Sequence, residues 1–218
     1  MKLRILVVVT LALVVLVAGL GPARTQARAG EPSLVWWLDN PAQVSGAEVP
    51  GAYSTLQRGY YSVTISLHTA GLTPEHAYSL WWVIFQNPGV CVNGCGDDEI
   101  NAVITSGANP VGIGVHYGGT FSAAETGRAD IGSRLLEDSV DACTKAAPYS
   151  PVCVPMLDAS TAEVLVFLVD HGPAAAGAAP VSAFDTGCRN LVWFGYVVAQ
   201  YNKGDFDCYR AQSTYHRP

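Results

Sequence analysis

From Tyr60 to His68 apolar and polar positions alternate: Tyr61, Val63, Ile65 and Leu67 fall on one side, and Tyr60, Ser62, Thr64, Ser66 and His68 on the other. Successive side chains of a strand leave on opposite faces, so this stretch predicts a β-strand with one buried and one wetter side. Gly71 to Pro74 then predicts a tight turn. Ala77 to Phe85 follows as a run of aromatic and β-branched residues with almost no charge. A strand apolar on both faces is expected to be central, and the two stretches are expected to pair as a hairpin.

Further strands are predicted at Ile100 to Thr105, Gly112 to Tyr117, Gly119 to Ala124, Ala162 to Val169 and Leu191 to Gln200, with one more at Leu34 to Leu38. Between them lie Gly and Pro clusters at 94–97, 107–110 and 172–180. Loosely helical spacing is confined to Ser133 to Ala147, where Leu135, Leu136, Val140 and Cys143 recur, while Val152 to Ser160 reads as a tethered loop. Short strands divided by turn signals favour a sandwich or barrel, and the fold expected is an all-β, disulfide-stabilised antiparallel β-sandwich, immunoglobulin-like or dismutase-like, with little helix.

Residues 1–29 read as an address rather than as structure. Lys2 and Arg4 precede an apolar run from Ile5 to Leu20, and Ala27-Arg28-Ala29 is a small-x-small cleavage site, so a signal peptide and an exported chain starting near Gly30 are expected. The apolar run is too short for a bilayer-spanning helix, and no later segment could span as one. Residues 30–59 are expected to be an N-terminal lead-in segment, and 60–218 a single domain.

The leader takes four of the 12 basic residues and none of the 18 acids, leaving 8 against 18, a formal −10. That balance argues against nucleic acid and anionic membrane surfaces as partners. It leaves an extracellular protein or a glycan. All six cysteines, Cys91, Cys95, Cys143, Cys153, Cys188 and Cys208, lie beyond the leader. Behind an export signal they predict disulfides, and of the many possible pairings the sequential one is expected because each bridge closes a local loop.

Gly71-Leu72-Thr73-Pro74 ahead of a strand carrying Tyr78 resembles the turn and tyrosine of fibronectin-type and immunoglobulin-like sandwiches. That resemblance implies a buried ring whose hydroxyl caps a nearby backbone group. The longer pattern GLTPEHAYSLWWVIFQNP, Cys91 and Cys95, AEVLVFLVDHGP at 162–173, Gly187-Cys188 and the closing CYRAQSTYH resembles a group of uncharacterised bacterial secreted proteins. It implies an exported, disulfide-bonded β domain and no particular activity. A thinner resemblance, carried by the GLTP turn, is to copper/zinc superoxide dismutases and CHRD domains. There an H-x-H pair binds copper, whereas this chain has Ser79 and Trp81, so the resemblance implies the sandwich without the dismutase chemistry.

The histidines His68, His76, His116, His171 and His216 include no pair at chelating spacing, so a metal site would have to assemble His68, His76, His116 or His171 from separate elements. Asp97, Asp98 and Glu99 are the densest acidic cluster and the candidate for calcium, against the plainer reading of a solvated turn. No nucleophile elbow, phosphate loop or dinucleotide fingerprint occurs, and no catalytic residue is predicted. Trp36, Trp37, Trp81, Trp82 and Trp193 with Tyr60, Tyr61 and Tyr78 could stack on sugar rings, although most are expected to fill the core. The expected function is therefore a non-catalytic extracellular interaction module. The alternatives are a metal-binding protein or metalloenzyme on a dismutase-like sandwich, and a carbohydrate-binding module.

Overall fold

A computed structural model describes residues 30, 32–40, 42–139, 154–174, 188–193, 196–200 and 206–218. The strands are β1 (Ser33–Trp37), β2 (Glu48–Arg58), β3 (Ser62–Thr69), β4 (His76–Phe85), β5 (Ile113–Ser122), β6 (Ala129–Leu136), β7 (Glu163–Pro173), β8 (Cys188–Trp193), β9 (Tyr196–Gln200) and β10 (Phe206–His216), with one helix, α1 (Asp97–Ser106). The fold is mostly antiparallel β-sheet with disulfides and little helix. Eight strands run in one hydrogen-bonded path, β5-β4-β7-β10-β1-β2-β3-β6, while β8 joins β10 in parallel and pairs with β9. The path is a single curled sheet, nearly closed like a barrel, rather than two separately bonded sheets. Its edge strands β5 and β6 approach each other where Ser133 Oγ donates to Gly118 O at 2.7 Å.

Alternation explains the interior. Val63, Ile65 and Leu67 of β3, Tyr78, Leu80, Trp82 and Ile84 of β4, and Val164, Val166 and Leu168 of β7 point inward and form one core with Val35, Trp37 and Leu56. The turn at 71–74 closes one end with Leu72, where Gly71 has φ 69° and lies so close to the Trp37 ring that a Cβ would meet it at 2.8 Å. Met156, Ala159 and Ala162 close the other end, tied down by Arg58, which donates to Ala159 O and Ala162 O at 2.8 Å each.

A second core lies outside the barrel. The outward residues Val83 and Phe85 of β4 and Leu165, Phe167 and Val169 of β7 meet Ile100 and Val103 of α1 together with Cys188 and Cys208. This explains why β4 and β7 are apolar on both faces. The expectation that Ala77–Phe85 is central holds, since it pairs with β5 and β7. The expected hairpin with Tyr60–His68 does not form, because β3 pairs with β2 and β6 instead. The 71–74 turn crosses the barrel end and delivers the chain to the far side of the sheet.

Other sequence expectations need correction. Ile100–Thr105 is helical: Ile100 and Val103, three apart, bury one side, Asp97, Asp98 and Glu99 occupy the first turn, and Gly107 ends the helix at φ 74°. The two strands expected at 112–117 and 119–124 are one strand, β5, bulged at Gly118 and Gly119. Leu191–Gln200 is divided between β8 and β9. Residues 133–136, expected in a helix, belong to β6, and 140–147 lie outside the described residues. The lead-in segment supplies β1 and β2, both interior to the sheet.

Gly118 sits at the seam, where a Cβ would meet Leu80 Cδ2 at 2.3 Å and Trp82 Nε1 at 2.7 Å, whereas Gly132 on β6 has open space around it. Gly118→Ala is therefore expected to lower unfolding free energy by about 1–3 kcal/mol through overpacking. Gly132→Ala should change it by less than about 0.5 kcal/mol, as expected of an open surface position. Urea titration of the two variants checks the contrast.

Candidate functional site

The four candidate histidines are held in four different settings. His68 is on the outer face of β3, its Nδ1 against the Asp130 carboxylate. His116 on β5 faces the barrel interior opposite Trp82, 2% exposed, and burial lowers its pKa. His76 opens β4 and reaches Asp170. His171, two residues from the end of β7, faces outward toward the Cys188–Cys208 bridge. Among the described residues no cluster of three or more potential metal ligands contains two of these four.

Asp170 organises one barrel end. It is fully buried, and its Oδ1 accepts from Gly172 N at 2.8 Å and His76 Nδ1 at 2.9 Å, while Oδ2 accepts from the Tyr78 hydroxyl at 2.8 Å and the Tyr209 hydroxyl at 3.1 Å. The carboxylate thus puts the His76 proton on Nδ1. Burial and the adjacent Asp170 charge both push the two tyrosine pKa values up, so the phenols remain donors. The Tyr78 oxygen in turn accepts from Thr73 N at 2.9 Å, the backbone cap implied by the immunoglobulin-like resemblance. Asp170 and Tyr209 were not candidates in the sequence. Their partners stand 39 to 94 positions apart in most of these contacts, and no local pattern links them.

On the outer side of the same strands, Ser79 and Trp81 form a different arrangement. Trp81 Nε1 donates to Ser79 Oγ at 2.8 Å, and Ser79 Oγ lies 2.6 Å from His171 Nε2. Disulfide sulfurs carry no proton and can only accept, so hydrogen bonding to them puts the imidazole proton on Nδ1, and Nε2 accepts from the Ser79 hydroxyl. Nδ1 faces Cys188 Sγ and Cys208 Sγ at 3.5 Å each. Burial pushes the His171 pKa down to about 4, keeping the ring neutral.

Two of the expected bridges are formed, Cys91–Cys95 and Cys188–Cys208. Cys143 and Cys153 lie outside the described residues. The acidic cluster is occupied by structural work: Glu99 Oε2 accepts from Gly96 N at 2.8 Å at the start of α1, and Asp97 Oδ1 accepts from Arg210 Nη1 at 2.8 Å. The three acids do not converge on a common ion position.

Of the expected aromatics, Trp37, Tyr78 and Trp82 are buried, whereas Trp36, Tyr60 and Tyr61 are exposed. One exposed row crosses four strands in register. Leu34 of β1 stands opposite Tyr53 of β2, Tyr53 opposite His68 of β3, and His68 opposite Asp130 of β6. The Tyr53 and His68 rings lie 5.3 Å apart, and Trp36 adds its ring two residues along β1 from Leu34, opposite Glu48. Leu34, Trp36 and Tyr53 are 43%, 37% and 49% exposed. Tyr53 escaped the sequence reading because it lies in a stretch with few apolar residues.

Searches with this chain against protein-family models, curated proteins and solved structures find no match in any of the three. Among the described residues no helix is long and apolar enough to cross a membrane.

Two outcomes test the buried polar groups. Asp170→Ala strips four donors of their acceptor and is expected to cost about 3–5 kcal/mol, measured by denaturant unfolding. His216, inside the barrel with Nε2 2.8 Å from Ser54 Oγ, has its pKa pushed from 6.5 down to about 4, first by burial and then by the Arg58 charge. As pH falls through about 6.5 the unfolded chain takes up this proton before the folded one does. The contribution is complete above that pH and is lost toward pH 4. Between pH 7 and pH 5 the loss is about 2 kcal/mol, and His216→Gln should abolish that part of the pH dependence of unfolding.

Proposed function

We propose that this protein is an exported, disulfide-bonded β domain that works as an extracellular binding module, with the outer face of β1, β2, β3 and β6 as its binding surface. The carrying observation is the exposed, in-register row of Leu34, Tyr53, His68 and Asp130 with Trp36 beside it. Flat rings present apolar faces to the C–H face of a sugar, and the flanking carboxylates of Glu48 and Asp130 accept its hydroxyls. A neutral glycan is the ligand class that suits such a surface, since the acidic chain disfavours anionic ones.

Export rests on the character of residues 1–29, and the two described disulfides are compatible with an oxidising destination. The Tyr78 cap on Thr73 supports reading the barrel as a flattened, sandwich-like relative of immunoglobulin-type or dismutase-type domains.

A panel of neutral oligosaccharides titrated against tryptophan fluorescence tests the assignment. At least one is expected to shift the emission, with Trp36→Ala and Tyr53→Ala each weakening binding by about tenfold, or ~1.4 kcal/mol. Leu157→Ala, at an exposed site outside the row, should leave it unchanged. A flat response across the panel would remove the glycan assignment. Equal binding by wild type and both aromatic variants would remove the assignment to this face.

A further inference from the structure

The second arrangement, on the covered face, has no part in glycan binding. His171 Nδ1, Cys188 Sγ and Cys208 Sγ lie within 4.8 Å of one another, and the three residues are 8%, 1% and 0% exposed. Nδ1 is 3.5 Å from each sulfur. In a tetrahedral zinc site with ordinary Zn–N and Zn–S lengths, the N···S edge is about 3.5 Å and the S···S edge about 3.8 Å. The imidazole nitrogen therefore already stands at ligand spacing from both sulfurs. Only the sulfurs need separate, and the Cα–Cα distance of 5.5 Å accommodates that by side-chain rotation.

We propose that reduction of the Cys188–Cys208 bond converts this cluster into a Cys2His site for a zinc ion. The S–S bond accepts two electrons and two protons from two equivalents of a small thiol, which leave joined as their own disulfide. Zinc then displaces the two protons from the new thiols, with His171 Nδ1 as third ligand and water as the fourth. Ser79 positions the ring: its Oγ, which donates to Nε2 in the oxidised protein, accepts the Nε2–H once Nδ1 is a ligand, and the Trp81 N–H holds that oxygen in place. Both forms fasten β8 to β10. The β8–β9 ribbon is thereby secured in reducing surroundings as well as in oxidising ones.

The test uses the purified protein under native conditions. A water-soluble phosphine opens the bond, itself becoming phosphine oxide with water as the oxygen source, and alkylation with peptide mapping counts the freed thiols. After zinc addition and desalting, the reduced protein is expected to retain about one zinc per chain beyond that held by the reduced Cys188→Ser/Cys208→Ser variant, and the oxidised protein less than about a tenth. Cobalt(II) in place of zinc should give a thiolate charge-transfer band. His171→Ala should weaken zinc binding by at least about tenfold and alter the cobalt spectrum, with His171→Gln as a second variant in case alanine impairs folding. The proposal is overturned if Cys188–Cys208 stays closed while the fold persists. It is equally overturned if the reduced protein retains no zinc beyond the double serine variant, or if both His171 variants match wild type in affinity and spectrum. None of these readouts involves the aromatic face.

Discussion

The buried carboxylate of Asp170 is the constraint on which the barrel is arranged. Taking a carboxylate out of water costs several kcal/mol unless donors replace the lost hydration. Here the donors come from the amide of Gly172, the imidazole of His76 and the hydroxyls of Tyr78 and Tyr209. Those groups sit on β4, β7 and β10, three consecutive strands of the sheet path. Satisfying one side chain therefore sets the mutual register of the strands at this end. Through Tyr78 and Thr73 the same network also fixes the turn that carries the chain from β3 to β4.

From that end the barrel divides into two unlike halves. The outer surfaces of β4, β5 and β7 are roofed by α1, and the Cys188–Cys208 bridge fastens β8 over β10. Arg210, 1% exposed, joins the roof to the wall by donating to Asp39 Oδ2 and Asp97 Oδ1 at 2.8 Å each. The outer surfaces of β1, β2, β3 and β6 carry no such cover among the described residues. Exposed rings are consequently gathered on one half, while the candidate metal ligands lie under the roof of the other.

Legibility followed how local each signal is. The β3 alternation and the doubly apolar β4 and β7 were plain in the sequence, because strand period and burial are properties of adjacent residues. The helix was misread because Ile100, Val103, Ile104 and Thr105 have strand-like composition. What makes the segment helical is the acidic first turn, the three-residue spacing of its buried pair and the glycine at its end. Strand β10 was invisible as a strand. Its inward residues Gln212, Thr214 and His216 are polar, and they are acceptable in a core only because Thr69, the Ala70 carbonyl and Ser54 meet them from across the barrel. Among the candidate sites, the histidines were legible as residue types and positions alone. The partners of His68, His76 and His171 could not be read, because each lies on another strand.

By itself the sequence determined the β class and the absence of a copper-binding H-x-H pair on β4, and it raised as expectations the Cys91–Cys95 and Cys188–Cys208 pairings and the Tyr78 cap, which the structure then formed. Each of these depends on residue type and short spacing. Tertiary structure alone decided that β3 and β4 lie apart, that the sheet curls until β5 meets β6, and that Tyr53 and Trp36 share an open face. It also decided that His171 stands beside a disulfide. The physical reason is that strand order and cross-strand neighbours come from matching buried surfaces and hydrogen-bond partners across the whole chain, and no local pattern of residues encodes that match.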